Sequence, residues 1–117
     1  MPIIRHEDIP AEQTRPGMKG RRILNKERGS ATTTMGDSIM SPGAKIPLHT
    51  HQNEETIVVV EGTLDFIVGN EKKSCKPIST LFAPAGVPHS IINNSKADAR
   101  ILTFHPVHNP QTTWLEQ

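Results

Sequence analysis

The sequence of 117 residues has little of what most disulfide-linked, membrane-spanning or aromatic-rich proteins need. It contains no tyrosine, one tryptophan, three phenylalanines and one cysteine, Cys75. A single cysteine excludes an internal disulfide framework, and it is more typical of a small strand residue than of thiol chemistry. The longest aliphatic run, 57–60, is far shorter than the roughly 20 residues that span a bilayer.

Charge and the N-terminal residues also exclude several classes of protein. The net charge is +1, and the basic residues between 19 and 28 are interrupted by glycine and followed by an acidic residue. Such a segment is typical of a solvated strand face, so we expect no nucleic-acid partner. Residues 1–10 lack the basic and apolar regions of a secretory signal. We therefore expect a cytoplasmic protein that does not contact a membrane.

The pattern of apolar residues predicts an all-β protein. No window has a sustained helical period, and short β-rich runs recur between turn residues. One turn is Gly69-Asn70, a hairpin signal. Many short strands at regular spacing indicate a sandwich or barrel. Strands are predicted at 21–26, 32–40, 45–51, 55–61, 64–68, 72–76, 79–83, 89–93 and 100–104.

The length allows one domain. We expect a barrel domain over residues 21–117. It is preceded by an N-terminal arm over residues 1–20, which contain Pro2, Pro10 and Pro16.

Residues 49–59 place metal-binding side chains on one face of a strand. Side chains alternate between the faces of a strand, so the odd-numbered His49, His51 and Glu55 share a face with Ile57 and Val59. Burying such polar groups without partners would cost several kcal/mol. Three nitrogen and oxygen ligands beside an apolar wall therefore indicate a transition-metal site.

A fourth ligand has to come from another strand, and His89 is the candidate because it begins a β-rich run after a Pro-Gly turn. The alternative is that the two histidines are polar surface residues of an edge strand and that Glu54 and Glu55 form a charged turn. The combination of three ligands on one face with His89 favours the metal site.

These residues also form a recognisable motif. Gly43, His49, His51, Glu55 and Gly62 match the pattern G-x5-H-x-H-x3-E-x6-G in full. In this the segment resembles the first motif of the cupin superfamily.

The second cupin motif, G-x5-P-x-G-x2-H-x3-N, is matched by Pro84, Gly86, His89 and Asn93. Its first position departs from the pattern, because Ile78 stands where the motif has a turn glycine. The resemblance covers about half of the chain. It implies a cupin jelly-roll β-barrel, also called a double-stranded β-helix, with an extended N-terminal arm here.

The resemblance implies a metal centre and a range of activities. The implied ligands are His49, His51, Glu55 and His89, and they suit one divalent ion of Mn, Fe, Ni, Cu or Zn. A metal-dependent enzyme for a small oxygenated molecule is expected, of dioxygenase, isomerase, decarboxylase or lyase type. A non-catalytic module that binds a metal or small ligand is the alternative.

The sequence also predicts a homodimer and several secondary candidates. The even-numbered face of Thr56, Val58 and Val60 is apolar enough to favour burial against a second copy, which would also receive the N-terminal arm. The secondary candidates are Lys45 and Arg100 for an anionic ligand, His105 and His108 in the loop after the last strand, with the barrel mouth as the alternative place for His105, Trp114 as a barrel cap or at an interface, Asn93 closing a turn, and His6 exposed in the arm.

Overall fold

The computed structural model describes residues 3–117. Within that range there is one short 3₁₀ turn, His6–Asp8, and no helix long and apolar enough to cross a membrane. The eleven strands are β1 (Glu12–Arg15), β2 (Met18–Leu24), β3 (Thr34–Met40), β4 (Lys45–His51), β5 (Glu55–Glu61), β6 (Leu64–Val68), β7 (Glu71–Cys75), β8 (Ser79–Ala83), β9 (His89–Ile92), β10 (Ala99–His105) and β11 (Thr112–Trp114).

The strands form two antiparallel sheets that face each other. The six-stranded sheet has the order β1-β2-β3-β10-β5-β8, and the five-stranded sheet has the order β11-β4-β9-β6-β7. Consecutive strands often lie in opposite sheets, as β4 and β5 do. The predicted all-β jelly roll is therefore confirmed.

The core lies between the two sheets and follows the alternation of each strand. On β5, Ile57 and Val59 are almost fully buried, whereas Val58 on the opposite face is half-buried. Ile91 from β9 and Ile101 from β10 fill the same interior. Each such aliphatic side chain contributes roughly 1.5–3 kcal/mol when it is removed from water.

Strand bounds were predicted well where apolar residues alternate and poorly where they do not. Strands β4, β5, β6 and β8 have the predicted bounds. β1 and β11 were not predicted, because "EQTR" and "TTW" carry no apolar alternation and both strands lie at sheet edges.

The segment 1–20, expected to be an arm, contributes to the six-stranded sheet. β1 lies entirely within it, and β2 begins at Met18 and pairs with β1. Pro2 lies outside the described residues.

The alternation of β4 is interrupted at Pro47. Ile46 pairs with Ile91 and packs on the core, while His49 pairs with His89, so the register shifts between them. Proline lacks the N–H that would continue the ladder, and such a bulge adds one residue to the strand. Lys45 therefore faces away from His49, contrary to its shared parity.

Gly62 and Gly69 allow two close turns that frame the barrel. Gly62 follows β5 at φ +80°, and a Cβ there would lie 2.6 Å from the carbonyl oxygen of Asp98. Gly69 has φ +57° in a two-residue turn between Val68 and Glu71. The hairpin predicted from Gly-Asn is thus present.

Candidate metal centre

Four side chains from both sheets converge inside the barrel. His49 and His51 lie on β4, and His89 pairs directly opposite His49 on β9. Glu55 comes from β5 in the other sheet, so the prediction that it shares one strand face with His49 and His51 is wrong: the chain turns at 52–54, and the carboxylate meets the two rings across the barrel interior. One candidate ligand atom from each of the four residues lies within 4.8 Å of all the others, and all four residues are buried. The residues that the sequence singled out as ligands are therefore brought together.

The backbone fixes the protonation pattern of the three imidazoles. In each ring Nδ1 lies within hydrogen-bond distance of a backbone carbonyl oxygen, which can only accept. Nδ1 therefore carries the proton, and Nε2 of the neutral ring offers a lone pair. The distances are 2.7 Å from His49 to Pro47, 3.0 Å from His51 to Gln111 and 3.0 Å from His89 to Val87.

The three lone pairs face one another and one carboxylate oxygen. Nε2 of His49 lies 3.1 Å from Nε2 of His51. Oε1 of Glu55 lies 2.9 Å from Nε2 of His89 and 3.2 Å from Nε2 of His51. A neutral ring with its proton on Nδ1 has none on Nε2, so it cannot donate a hydrogen bond across these contacts. A divalent transition metal satisfies all four groups at once, so the donor set fits a metal.

Burial and hydrogen bonding hold His49 and Glu55 in metal-binding forms at neutral pH. Burial lowers the pKa of His49 to about 4, against the opposing effect of its bond to Pro47. Burial alone would raise the pKa of Glu55, but its contacts with His105, His51 and His89 outweigh burial and keep this pKa far below its usual value. Metal ligands bind as neutral imidazole and ionised carboxylate.

His51 behaves differently because it lies next to that carboxylate. Burial acts to lower its pKa, but the hydrogen bond to Glu55, with that to Gln111, raises the pKa above its usual value of 6.5. A metal that binds here therefore competes with a proton on His51.

A fourth histidine reaches the same centre. His105 ends β10 on the inner face, and its Nε2 lies 3.0 Å from Oε2 of Glu55. The predicted strand stopped at residue 104, which left His105 in a loop. The signal that could have placed His105 inward is strand alternation: it lies on the same face of β10 as Thr103 and the buried Ile101. Asn53, which contacts His105 from the turn between β4 and β5, was not predicted.

A cavity of about 510 Å³ adjoins the centre. The four converging residues do not line it, but His105 and Gln111 do, and each also contacts a member of the centre. The remaining lining residues are Arg22, Asn25, Lys26, Glu27, Thr34, Met35, Gly36, Thr103, His108, Asn109 and Pro110. His105 thus lies between the four converging residues and this cavity.

The candidates for recognising an anion lie elsewhere. Lys45 is exposed, with Nζ 2.8 Å from Glu116. Arg100 lies on the outer face of the six-stranded sheet and binds Asp37. Neither side chain points to the centre.

The other candidate residues are His6, Trp114 and Asn93, and each contacts another part of the protein. The ring of His6, expected to be exposed, lies against Asp37 and is only partly accessible. The ring of Trp114 lies 5.0 Å from that of His49 and beneath the guanidinium of Arg15. Asn93 is fully buried and donates to the carbonyl oxygens of Met40 and Ala97.

Comparison with known proteins agrees with this fold. The family model for the cupin domain matches residues 36–105. The chain is 26% identical to protein SchB of Streptomyces halstedii over 104 residues, and this aligned region covers 88% of this chain and 75% of SchB. Over 77 residues it is 35% identical to a germin-like protein of Morus alba, covering 61% of this chain. The chain spans 37% of that germin-like protein.

A solved structure supports the same fold. The polyketide cyclase RemF from Streptomyces resistomycificus superposes with a TM-score of 0.87, covering all of this chain and 87% of that one at 23% identity. The chain therefore belongs to the cupin domain family, as the two sequence motifs indicated.

Proposed function

We propose that the protein binds one divalent transition-metal ion through His49, His51, Glu55 and His89. We further propose that it is an enzyme acting on a small oxygenated molecule held in the adjoining cavity. The observation that carries the proposal is the convergence of three imidazole Nε2 atoms and one carboxylate oxygen in a buried site, with each Nδ1 facing a backbone carbonyl oxygen. A buried polar core that served stability alone would pair donors with acceptors instead.

When bound, the metal supplies Lewis acidity to an oxygen of the substrate. The chain contributes one negative charge, from Glu55, and otherwise neutral ligands. A divalent ion in this site therefore keeps a net positive charge, which favours a hydroxyl, carbonyl or carboxylate oxygen. Ile57 and Val59 continue the inner face beyond Glu55 and exclude water from that side. The relatives include a protein named as a polyketide cyclase, which supports an oxygenated substrate.

The first test is the metal content of protein purified without added metal. We expect about one transition-metal ion per chain in the wild type and almost none in His49→Ala/His51→Ala. Equal metal content in the two proteins would contradict the proposed site.

The second test distinguishes an enzyme from a binding module. Metal-loaded protein is incubated with panels of small hydroxy and keto acids, polyketides and sugars, while product formation and O₂ uptake are followed. Turnover that disappears in His49→Ala/His51→Ala supports the enzyme, and O₂ uptake assigns the dioxygenase type. Ligands that change the spectrum of the Co(II)-loaded protein without any turnover would support the non-catalytic alternative.

We also propose that the protein forms a homodimer through the outer face of the six-stranded sheet. Thr56, Val58 and Val60 on β5 are half-buried on this face, and Phe82 on the neighbouring β8 is 49% exposed. Light scattering at micromolar concentration is expected to give twice the chain mass. A monomer mass would contradict the dimer without affecting the metal site.

A further inference from the structure

His105 has the opposite tautomer from the three histidines of the proposed metal site. Nδ1 of His105 lies 2.9 Å from Nδ2 of Asn53, and an amide nitrogen can only donate. The same Nδ2 donates to the carbonyl oxygen of Glu54 at 2.8 Å, which fixes the orientation of the amide. Nδ1 of His105 is therefore the acceptor, and in the neutral ring the proton lies on Nε2, which donates to Oε2 of Glu55.

The two oxygens of Glu55 consequently have different partners. Oε1 faces Nε2 of His51 and of His89, whereas Oε2 accepts from His105. We propose that Asn53 and His105 are positioning residues that hold Glu55 so that only Oε1 faces the metal. This inference rests on the proposed metal site. It assigns no ligand role to His105, whose one lone-pair nitrogen is already taken by Asn53.

This arrangement has a consequence for the cavity. A carboxylate that bound through both oxygens would take up two coordination positions. If a metal bound through Oε1 alone, the hydrogen bond from His105 to Oε2 would leave one of these positions free for another ligand. Hydrogen bonds to a ligating carboxylate typically change metal affinity by 10- to 100-fold when they are removed.

The tautomer can be observed directly in zinc-loaded protein labelled with ¹⁵N-histidine. Long-range ¹H–¹⁵N correlation spectra are expected to show a proton on Nε2 of His105 and a bare Nδ1. The signals of His49, His51 and His89 are expected to show the reverse, with a proton on Nδ1 and a metal-shifted Nε2. The signals of His105 are identified by their loss in His105→Gln. A metal-shifted nitrogen on His105 would overturn the proposal.

The variant series measures zinc affinity by competition with a chromophoric chelator. His105→Leu removes the donor to Glu55, so a 10- to 100-fold loss of affinity is expected. His105→Gln keeps an N–H near the position of Nε2 and is expected to stay within about threefold of the wild type. Asn53→Ala leaves the tautomer of His105 unspecified and is expected to fall between the two. Were His105 a ligand, Asn53→Ala would have little effect and His105→Gln would lose affinity like His105→Leu.

His108→Leu is the matched control. His108 lines the same cavity, but its Nε2 lies 2.8 Å from the carbonyl oxygen of Ser30 and does not contact Glu55. Zinc affinity is expected to be unchanged in this variant. If wild-type protein binds neither zinc nor another divalent transition metal stoichiometrically, the proposed function itself fails. If it binds zinc and His105→Leu binds it equally well, only the positioning role fails. If His105→Leu does not fold, the zinc affinities of His105→Gln and Asn53→Ala and the NMR spectra still distinguish a positioning residue from a ligand.

Discussion

Glu55 and Asp37 are two buried carboxylates on opposite faces of the same six-stranded sheet. Glu55 faces the barrel interior and is 7% exposed, while Asp37 on β3 faces outward and is 2% exposed. Asp37 binds the guanidinium of Arg100 through both oxygens, at 2.9 and 2.7 Å, and its Oδ2 also contacts His6. Each carboxylate thus has several close nitrogen partners.

The two carboxylates differ in the source of their counter-charge. The hydrogen bond from Arg100 lowers the pKa of Asp37 despite burial, and an arginine is always charged. The partners of Glu55 are four imidazoles, three of which turn lone pairs toward the centre. The counter-charge of Asp37 therefore comes from within the chain, whereas the cation proposed for the Glu55 cluster would come from outside. This difference is expected if the Asp37 cluster is structural and the Glu55 cluster is the proposed metal site.

Metal removal is expected to give the largest effect, and only through the Glu55 cluster. A metal held 1,000-fold above its dissociation constant contributes about 4 kcal/mol to stability. A chelator should therefore lower the melting temperature of the wild type by an amount on the order of 15 °C. His49→Ala/His51→Ala should melt at nearly the same temperature with and without chelator, as followed by circular dichroism. Equal chelator sensitivity in both proteins would show that any metal lies elsewhere.

Breaking the Asp37 pair is expected to give a smaller effect that does not depend on metal. Asp37→Asn leaves the partly buried Arg100 without its carboxylate and should cost about 2 kcal/mol at pH 7. The pKa of Asp37 lies below its usual value of 3.8, so the stabilisation is present above that value and is lost as the pH falls through the folded-state pKa. Wild type and Asp37→Asn should therefore converge in stability under acid.

The control for this experiment is metal content. Asp37→Asn is expected to bind as much zinc as the wild type, because the sheet separates the two carboxylates. A loss of zinc in this variant would mean that the outer pair supports the metal centre, and the distinction between the two clusters would not hold.

Strand alternation explains only part of the predicted site: it relates His49 to His51 on β4, and on β5 it places Glu55 on the apolar face of Ile57 and Val59. The two groups lie in opposite sheets, so the match to the two motifs, and not parity, related them to each other and to His89. β4 and β5 have the predicted bounds, whereas β9, predicted at 89–93, ends at Ile92. The jelly roll followed from the resemblance to cupins, which the family match confirms.

What could not be predicted depends on contacts between distant segments. The pairing of Asp37 with Arg100 and His6 joins three segments that no local pattern relates. In the sequence Asn53 is an ordinary turn residue, and its contact with His105 depends on where β10 lies in the fold. β11 pairs with β4 at a sheet edge, where a polar sequence carries no periodic signal.

The smallest effect is expected at a third ion pair, which lies outside both clusters. Lys45 and Glu116 are each 42% exposed, and exposed pairs contribute little because water and salt screen them. Lys45→Ala should therefore shift the melting temperature by less than about 2 °C. Two further measurements on this variant are more informative: its zinc affinity, and ligand binding by its Co(II)- or zinc-loaded form. Both should match the wild type. Lys45 has the same odd parity as His49, but the register shift at Pro47 turns it outward. Weaker ligand binding by Lys45→Ala would mean that the side chain reaches the interior. Glu116→Gln is the control for that outcome, because it removes only the outer partner of Lys45 and should leave ligand binding unaffected.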